Sequence, residues 1–150
     1  MAKRRVVITG VGVIAPNGIG KEAFWSALVQ GKSGIKKITF FDTSKFPTQI
    51  AGEVQDFDPL KYMERKRANR MARFSQFTVA CAKMAMENTG LKPEAINPEN
   101  SAIIIGVSTT AMDIMCTIYQ ILLDKGVKNH SVMEVMRWEE KGECLWGWQY

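Results

Sequence analysis

The chain has 150 residues, room for one domain or a piece of a larger one, and its 46% hydrophobic and 23% charged content is that of a soluble globular protein. Its net charge of +5, from 20 Lys and Arg against 15 Asp and Glu, favours an acidic partner but falls short of a nucleic-acid-binding tail. The sequence has no apolar run of membrane-spanning length, and three widely spaced cysteines, Cys81, Cys116 and Cys144, suggest neither a disulfide framework nor a metal site, so a reducing, cytoplasmic setting is expected.

The chain opens with a basic stretch to Arg5 and an apolar one over residues 6–14. Thr9, Gly10 and Gly12 interrupt it, and no small-residue cleavage site follows cleanly, which argues against a signal peptide. Val6, Val7 and Ile8 are consecutive and β-branched, so residues 5–9 are predicted as a buried strand. Gly10, Gly12, Pro16, Asn17, Gly18 and Gly20 then predict a turn and loop. Residues 21–29 are predicted as a helix with Phe24, Ala27 and Leu28 on one face and Gly31 as its stop. Strand, glycine-rich loop and helix together open an α/β fold.

Residues 32–47 read as loop. Residues 49–54 alternate, with Ile50, Gly52 and Val54 on one side, and predict a short exposed-edge strand. Asp58-Pro59 supplies an N-cap followed by proline at the first helical position, predicting a short helix to Met63. The clearest helix is predicted over about residues 67–89, with Phe74, Phe77, Cys81 and Met84 on one stripe and Gly90 as its end. Asn97-Pro98 marks another turn, and residues 102–107 (Ala-Ile-Ile-Ile-Gly-Val) predict a second buried strand. Thr109 and Thr110 would cap a helix over 111–125, apolar nearly all round and so expected to be deeply buried, with Gly126 as its stop. A last short helix is predicted over 132–136. Residues 137–150, which hold Trp138, Trp146 and Trp148, show no helix or strand period.

Five segments, in order and at matching spacing, resemble the β-ketoacyl-acyl-carrier-protein synthases, the condensing enzymes of fatty-acid synthesis in the thiolase-like superfamily. They are Arg5-Val-Val-Ile-Thr-Gly-Val-Gly-Val-Ile-Ala-Pro-Asn-Gly-Ile-Gly20; Trp25-Ser-Ala-Leu-Val-Gln-Gly-Lys-Ser-Gly-Ile35 with Phe41-Asp-Thr-Ser44; Ala51-Gly-Glu-Val54 with Asp56-Phe57; residues 65–77 (Arg-Lys-Arg-Ala-Asn-Arg-Met-Ala-Arg-Phe-Ser-Gln-Phe); and Ala102-Ile-Ile-Ile-Gly-Val-Ser108. The match is close over residues 3–110, looser over 111–136, and absent from 137. The expected organisation is thus an incomplete ketoacyl synthase segment, 1–136, and a non-family tail, 137–150. The fold implied is α/β, the first part of the N-terminal half of a thiolase-like fold, a sheet flanked by helices.

The resemblance implies a decarboxylative condensation of malonyl-acyl-carrier-protein with an acyl thioester, without a cofactor. In the family a cysteine at a helix N-terminus carries the acyl group, two histidines stabilise charge on the malonyl thioester oxygen, and the enzyme is a homodimer. This chain has one histidine, His130, in a polar stretch, and Cys81 and Cys116 stand at apolar positions of predicted helices. Cys144 follows Glu143, which would raise its pKa. No residue is assigned a catalytic role, and the chain alone is expected to be inactive, stopping before the nucleophile and the histidine pair. The resemblance also places Lys66, Arg67 and Arg70 on the face that meets the acidic acyl carrier protein; a solvated helix start is the alternative reading of this basic cluster. A continuous helix would put Lys66, Arg70 and Arg73 on one side. The loop with Ser108 and Thr109 corresponds to the border of the acyl pocket; a helix cap is the alternative reading of those two residues.

Other readings stay open. Gly10-Val-Gly12 between strand and helix fits a relaxed NAD(P)-binding Rossmann pattern, although Pro16 stands where its helix should be running and no clean second strand ends in an acid. A ketosynthase-like chain without a nucleophile could instead be a non-catalytic module that dimerises or holds a carrier protein, or a gene remnant without a function.

Overall fold

The computed structural model describes residues 5–108 and 112–126. The glycine-rich loop closes as a small hairpin: β1 (Ile14–Ala15) pairs antiparallel with β2 (Gly18–Ile19), with Pro16-Asn17 at the turn. The Gly20 N–H donates to the Val13 carbonyl at 2.8 Å and extends the closure. Helix α1 (Lys21–Val29) follows with the predicted bounds. Of its predicted inward face, Ala27 is buried and Phe24 half-buried, whereas Leu28 is exposed, as are Trp25 and Val29.

The stretch read as loop contains a strand. β3 (Ile35–Lys37) pairs antiparallel with β4 (Ile50–Gly52), in the register Ile35↔Gly52, Lys36↔Ala51 and Lys37↔Ile50. Three residues with two lysines carry no legible alternation, so the strand is defined by its partner and not by its own pattern. Beyond Asp58, whose carboxylate accepts from the Leu60 N–H at 2.9 Å, the chain tightens into a 3-10 turn, Pro59–Lys61, in place of an α-helix.

The long helix predicted over 67–89 is two helices. A single turn, α2 (Arg65–Ala68), ends at Asn69, and α3 (Arg73–Thr89) starts after Ala72, whose backbone is extended (φ −60°, ψ 152°). The Gln76 side chain donates to the Ala68 carbonyl at 2.8 Å and contacts the Met71 carbonyl at 3.3 Å, satisfying groups that a continuous helix would have bonded internally. Phe74, Phe77, Cys81 and Met84 share the predicted stripe and are half-buried. The core gathers here, from Phe57, Met63, Ala68, Ala72 and Ala80; small residues let the segments approach closely. Gly90 ends α3 in the left-handed conformation at φ 67°.

Both predicted buried strands are corrected. Residues 5–9 and 102–107 form no sheet, and Val6, Ile8 and Ile104 are 90%, 86% and 94% exposed. A β-branched run becomes a buried strand only against neighbours, and none pairs with these runs among the described residues. Helix α4 (Met112–Lys125) ends at Gly126 as predicted, the Gly126 N–H donating to the Leu122 carbonyl at 2.9 Å. Its expected deep burial does not hold. Ile114, Ile118, Ile121 and Leu122 form a half-buried stripe, while Met115, Tyr119 and Leu123 are exposed. The cap at Thr109 and Thr110, the helix over 132–136, His130, Cys144 and the tail lie outside the described residues.

Candidate functional site

Helix α2 and the turn that follows it carry the basic cluster. Arg65, Lys66, Arg67 and Arg70 are all exposed, with buried Ala68 beneath them. Backbone bonds from the Arg70 N–H to the Arg67 carbonyl (3.0 Å) and from the Met71 N–H to the Ala68 carbonyl (3.2 Å) tighten the chain as it leaves α2. The face is therefore a short helical turn with a compact exit, and its cations are exposed, where attraction to an anionic partner is of modest strength.

Arg73 does not share that face, because the helix is broken between them. Its guanidinium donates to the Val54 carbonyl and lies over three rings, with Cζ 5.0 Å from the Phe77 centroid, 5.7 Å from Phe40 and 5.9 Å from Phe57. Phe57 in turn meets Phe77 edge-on at 4.8 Å and stacks on Tyr62 at 5.8 Å. A cation at the first residue of a helix opposes the helix dipole, and here the ring faces and a carbonyl offset that cost. Charge counting groups Arg73 with the basic cluster, from which the structure separates it, and misses Gln76, which bonds to the turn. The only signal for Gln76 in the sequence is a long amide side chain four residues after Ala72 and eight after Ala68.

The glycine-rich loop lies along α3. A Cβ at Gly10 would fall 2.3 Å from the Ala85 carbonyl oxygen, and one at Gly12 would fall 2.0 Å from that of Cys81. The Val11 N–H donates to the Asn88 side chain at 3.3 Å. These glycines therefore let the loop lie against the α3 backbone. Beyond the hairpin an open cleft is lined by Asn17, Gln55, Asp56, Asp58, Lys61 and Tyr62, among others. Burial, with smaller contributions from Glu87 and Cys81, raises the Tyr62 hydroxyl above its ordinary value.

Cys81 is half-buried on α3, and burial raises its thiol pKa against a smaller lowering by the Ile14 backbone, the opposite of what a nucleophilic thiolate needs. Cys116 is exposed on α4. Ser108 is exposed at the end of the first described stretch, and Thr109 lies outside it. Among the described residues, no group of three or more His, Cys, Asp and Glu could hold a metal ion, and no helix is long and apolar enough to cross a membrane.

Residues 3–138 match the family model described as beta-ketoacyl synthase, N-terminal domain. The chain is 43% identical over 131 residues to 3-oxoacyl-[acyl-carrier-protein] synthase 2 of Coxiella burnetii, an alignment covering 87% of this chain and 32% of that protein. It is 42% identical over 125 residues to actinorhodin polyketide putative beta-ketoacyl synthase 1 of Streptomyces coelicolor, covering 83% of this chain and 27% of that protein. Among solved structures, the ishigamide ketosynthase/chain length factor superposes with a TM-score of 0.75 at 34% identity, over 83% of this chain and 31% of that one. The chain thus spans about a third of the length of the curated relatives it matches. The arrangement of helices and small sheets is part of the α/β, thiolase-like fold of a ketosynthase. With a family model matched over residues 3–138 and that structural likeness, the chain belongs to the β-ketoacyl synthase family.

Proposed function

We propose that this chain serves a 3-oxoacyl-[acyl-carrier-protein] synthase of fatty-acid elongation, supplying the carrier-protein docking face and part of the acyl-pocket border while the condensation chemistry requires residues it does not carry. The observation that bears most weight is the 43% identity to 3-oxoacyl-[acyl-carrier-protein] synthase 2 of Coxiella burnetii. In this reading Lys66, Arg67 and Arg70, exposed on one tight turn, meet the acidic carrier protein, and Ser108 and Thr109 border the acyl chain. The synthase is a cytoplasmic homodimer, residues 1–136 are its ketoacyl synthase segment, and 137–150 are a tail foreign to the family. Neither Cys81, whose thiol is held protonated by burial, nor the single histidine supports catalysis by this chain alone.

A second reading, condensation in polyketide synthesis, is favoured by the 42% identity to the actinorhodin synthase. Both readings share carrier-linked acyl substrates and the same docking chemistry.

The test is intact-mass measurement of the purified chain after incubation with long-chain acyl-acyl-carrier-protein and, separately, with a polyketide-type carrier protein. The expected result is no thioester adduct, together with salt-sensitive binding of a carrier that Lys66→Ala/Arg70→Ala abolishes. An adduct on any cysteine would overturn the inactivity of this chain. Binding indifferent to Lys66→Ala/Arg70→Ala would overturn the docking face.

A further inference from the structure

We propose that Gln76 is a positioning residue for the docking face, an inference that rests on the carrier-protein reading above. The face has an unusual foundation. Lys66 and Arg67 sit on a helix of four residues, Arg65–Ala68, too short to hold itself in water. Arg70 lies beyond that helix, so the spacing of Lys66 and Arg70 depends on the turn over residues 69–72 and not on a helical repeat.

One side chain ties that turn to the long helix. From the fourth residue of α3, Gln76 donates to the Ala68 carbonyl at 2.8 Å and reaches the Met71 carbonyl at 3.3 Å. Ala68 is the last residue of α2, and Met71 follows Arg70 directly, so the amide grips the chain on both sides of Asn69-Arg70. Both bonds are partly buried, where an amide donor is worth more than in open water and an unmet carbonyl costs more. The neighbouring anchor, Arg73 on the Val54 carbonyl, ties the start of α3 to the segment after β4. Gln76 thereby converts a cluster of charges into a fixed pattern of charges, which a docking surface requires for register more than for attraction.

The test uses the full chain, with Gln76→Glu, which removes the donor at constant shape, Gln76→Met, which removes all polarity, and Lys66→Ala/Arg70→Ala as the control for docking itself. Two readouts are taken: affinity for acyl-acyl-carrier-protein across a salt series, and hydrogen exchange at the Arg70 and Met71 amides, which bond to Arg67 and Ala68. The expected result is faster exchange at these amides in both Gln76 variants and carrier affinity weakened by about three- to tenfold, the fold-change of one or two ordinary hydrogen bonds. Gln76 variants with unchanged exchange at the two amides would overturn the positioning role whatever the carrier does. Faster exchange with unchanged affinity, while the Lys66→Ala/Arg70→Ala control loses binding, would overturn the link between positioning and docking. If wild-type chain and control bind the carrier equally or not at all, the docking reading fails, and with it the functional role of Gln76; the exchange result then still decides whether Gln76 holds the turn.

Discussion

At Gly12 the main chain approaches α3 so closely that one methyl group decides whether the loop can lie there. An alanine Cβ would sit 2.0 Å from the Cys81 carbonyl oxygen and 2.7 Å from its carbon, both backbone atoms that cannot rotate away. Gly12→Ala is therefore expected to destabilise the chain by about 1–3 kcal/mol, the usual cost of overpacking against a fixed backbone. Gly106→Ala, where nothing lies within 4 Å, is the control and should be near neutral. Urea unfolding of the two variants against wild type checks both. Tyr62 adds a pH dependence. Its folded pKa is raised above the ordinary 10.0, first by burial, so the neutral ring's contribution is full below pH 10.0 and lost as pH rises through the raised value. Alkaline unfolding should therefore show an extra fall in stability that Tyr62→Phe removes.

Between the elements, single side chains do the joining. Glu53, at the end of β4, accepts from the Thr39 N–H (2.9 Å), the Thr39 hydroxyl (2.8 Å) and the Phe40 N–H (3.1 Å), and so closes the β3–β4 ribbon. Desolvation opposes its ionisation, but these bonds and one from Gln55 outweigh it and lower its pKa below the ordinary 4.5. A depressed carboxylate contributes above its ordinary value and loses that contribution as pH falls through the folded one. Hydrogen exchange at the Thr39 and Phe40 amides should thus accelerate as pH drops below 4.5, after correction for the intrinsic rate, and Glu53→Met, which has no oxygen to accept these bonds, should show fast exchange at neutral pH already. Arg73→Met would strip the cation from three ring faces and leave the Val54 carbonyl unmet, with a stability loss of about 1–3 kcal/mol in urea unfolding. The sequence made legible whatever is encoded within one element: the bounds of α1, the Asp58 cap, the Gly90 stop. It concealed β3, whose pairing is set from across the chain, and the break at 69–72. The helical stripe from Phe74 to Met84 lies wholly within α3 and does not mark where that helix starts, and periodicity carries no mark for a turn held by a side chain from the next helix.

At the scale of the whole molecule, the same distinction explains the two predicted strands that do not pair. Residues 5–9 and 102–107 have the composition of interior strands, and Val6, Val7, Ile8, Ile103, Ile104 and Val107 are all exposed. Hydrophobic run length reports that a segment is suited to burial, but burial itself depends on neighbours that local sequence does not name. Two unpaired apolar runs on one chain are templates for intermolecular pairing, and natural edges suppress such pairing with a charged residue. Ile104, at 94% exposure, contributes almost no packing, so Ile104→Lys should leave the unfolding free energy within about 0.5 kcal/mol of wild type. The same substitution should sharply reduce concentration-dependent self-association in sedimentation velocity and lower the binding of an apolar dye. If Ile104→Lys instead unfolds the chain, residues 102–107 are packed within it in solution and the exposed run is not its resting arrangement. If stability and association are both unchanged, self-association uses another surface, and Val6→Lys becomes the variant that locates it, since Val6 is 90% exposed in the other unpaired run.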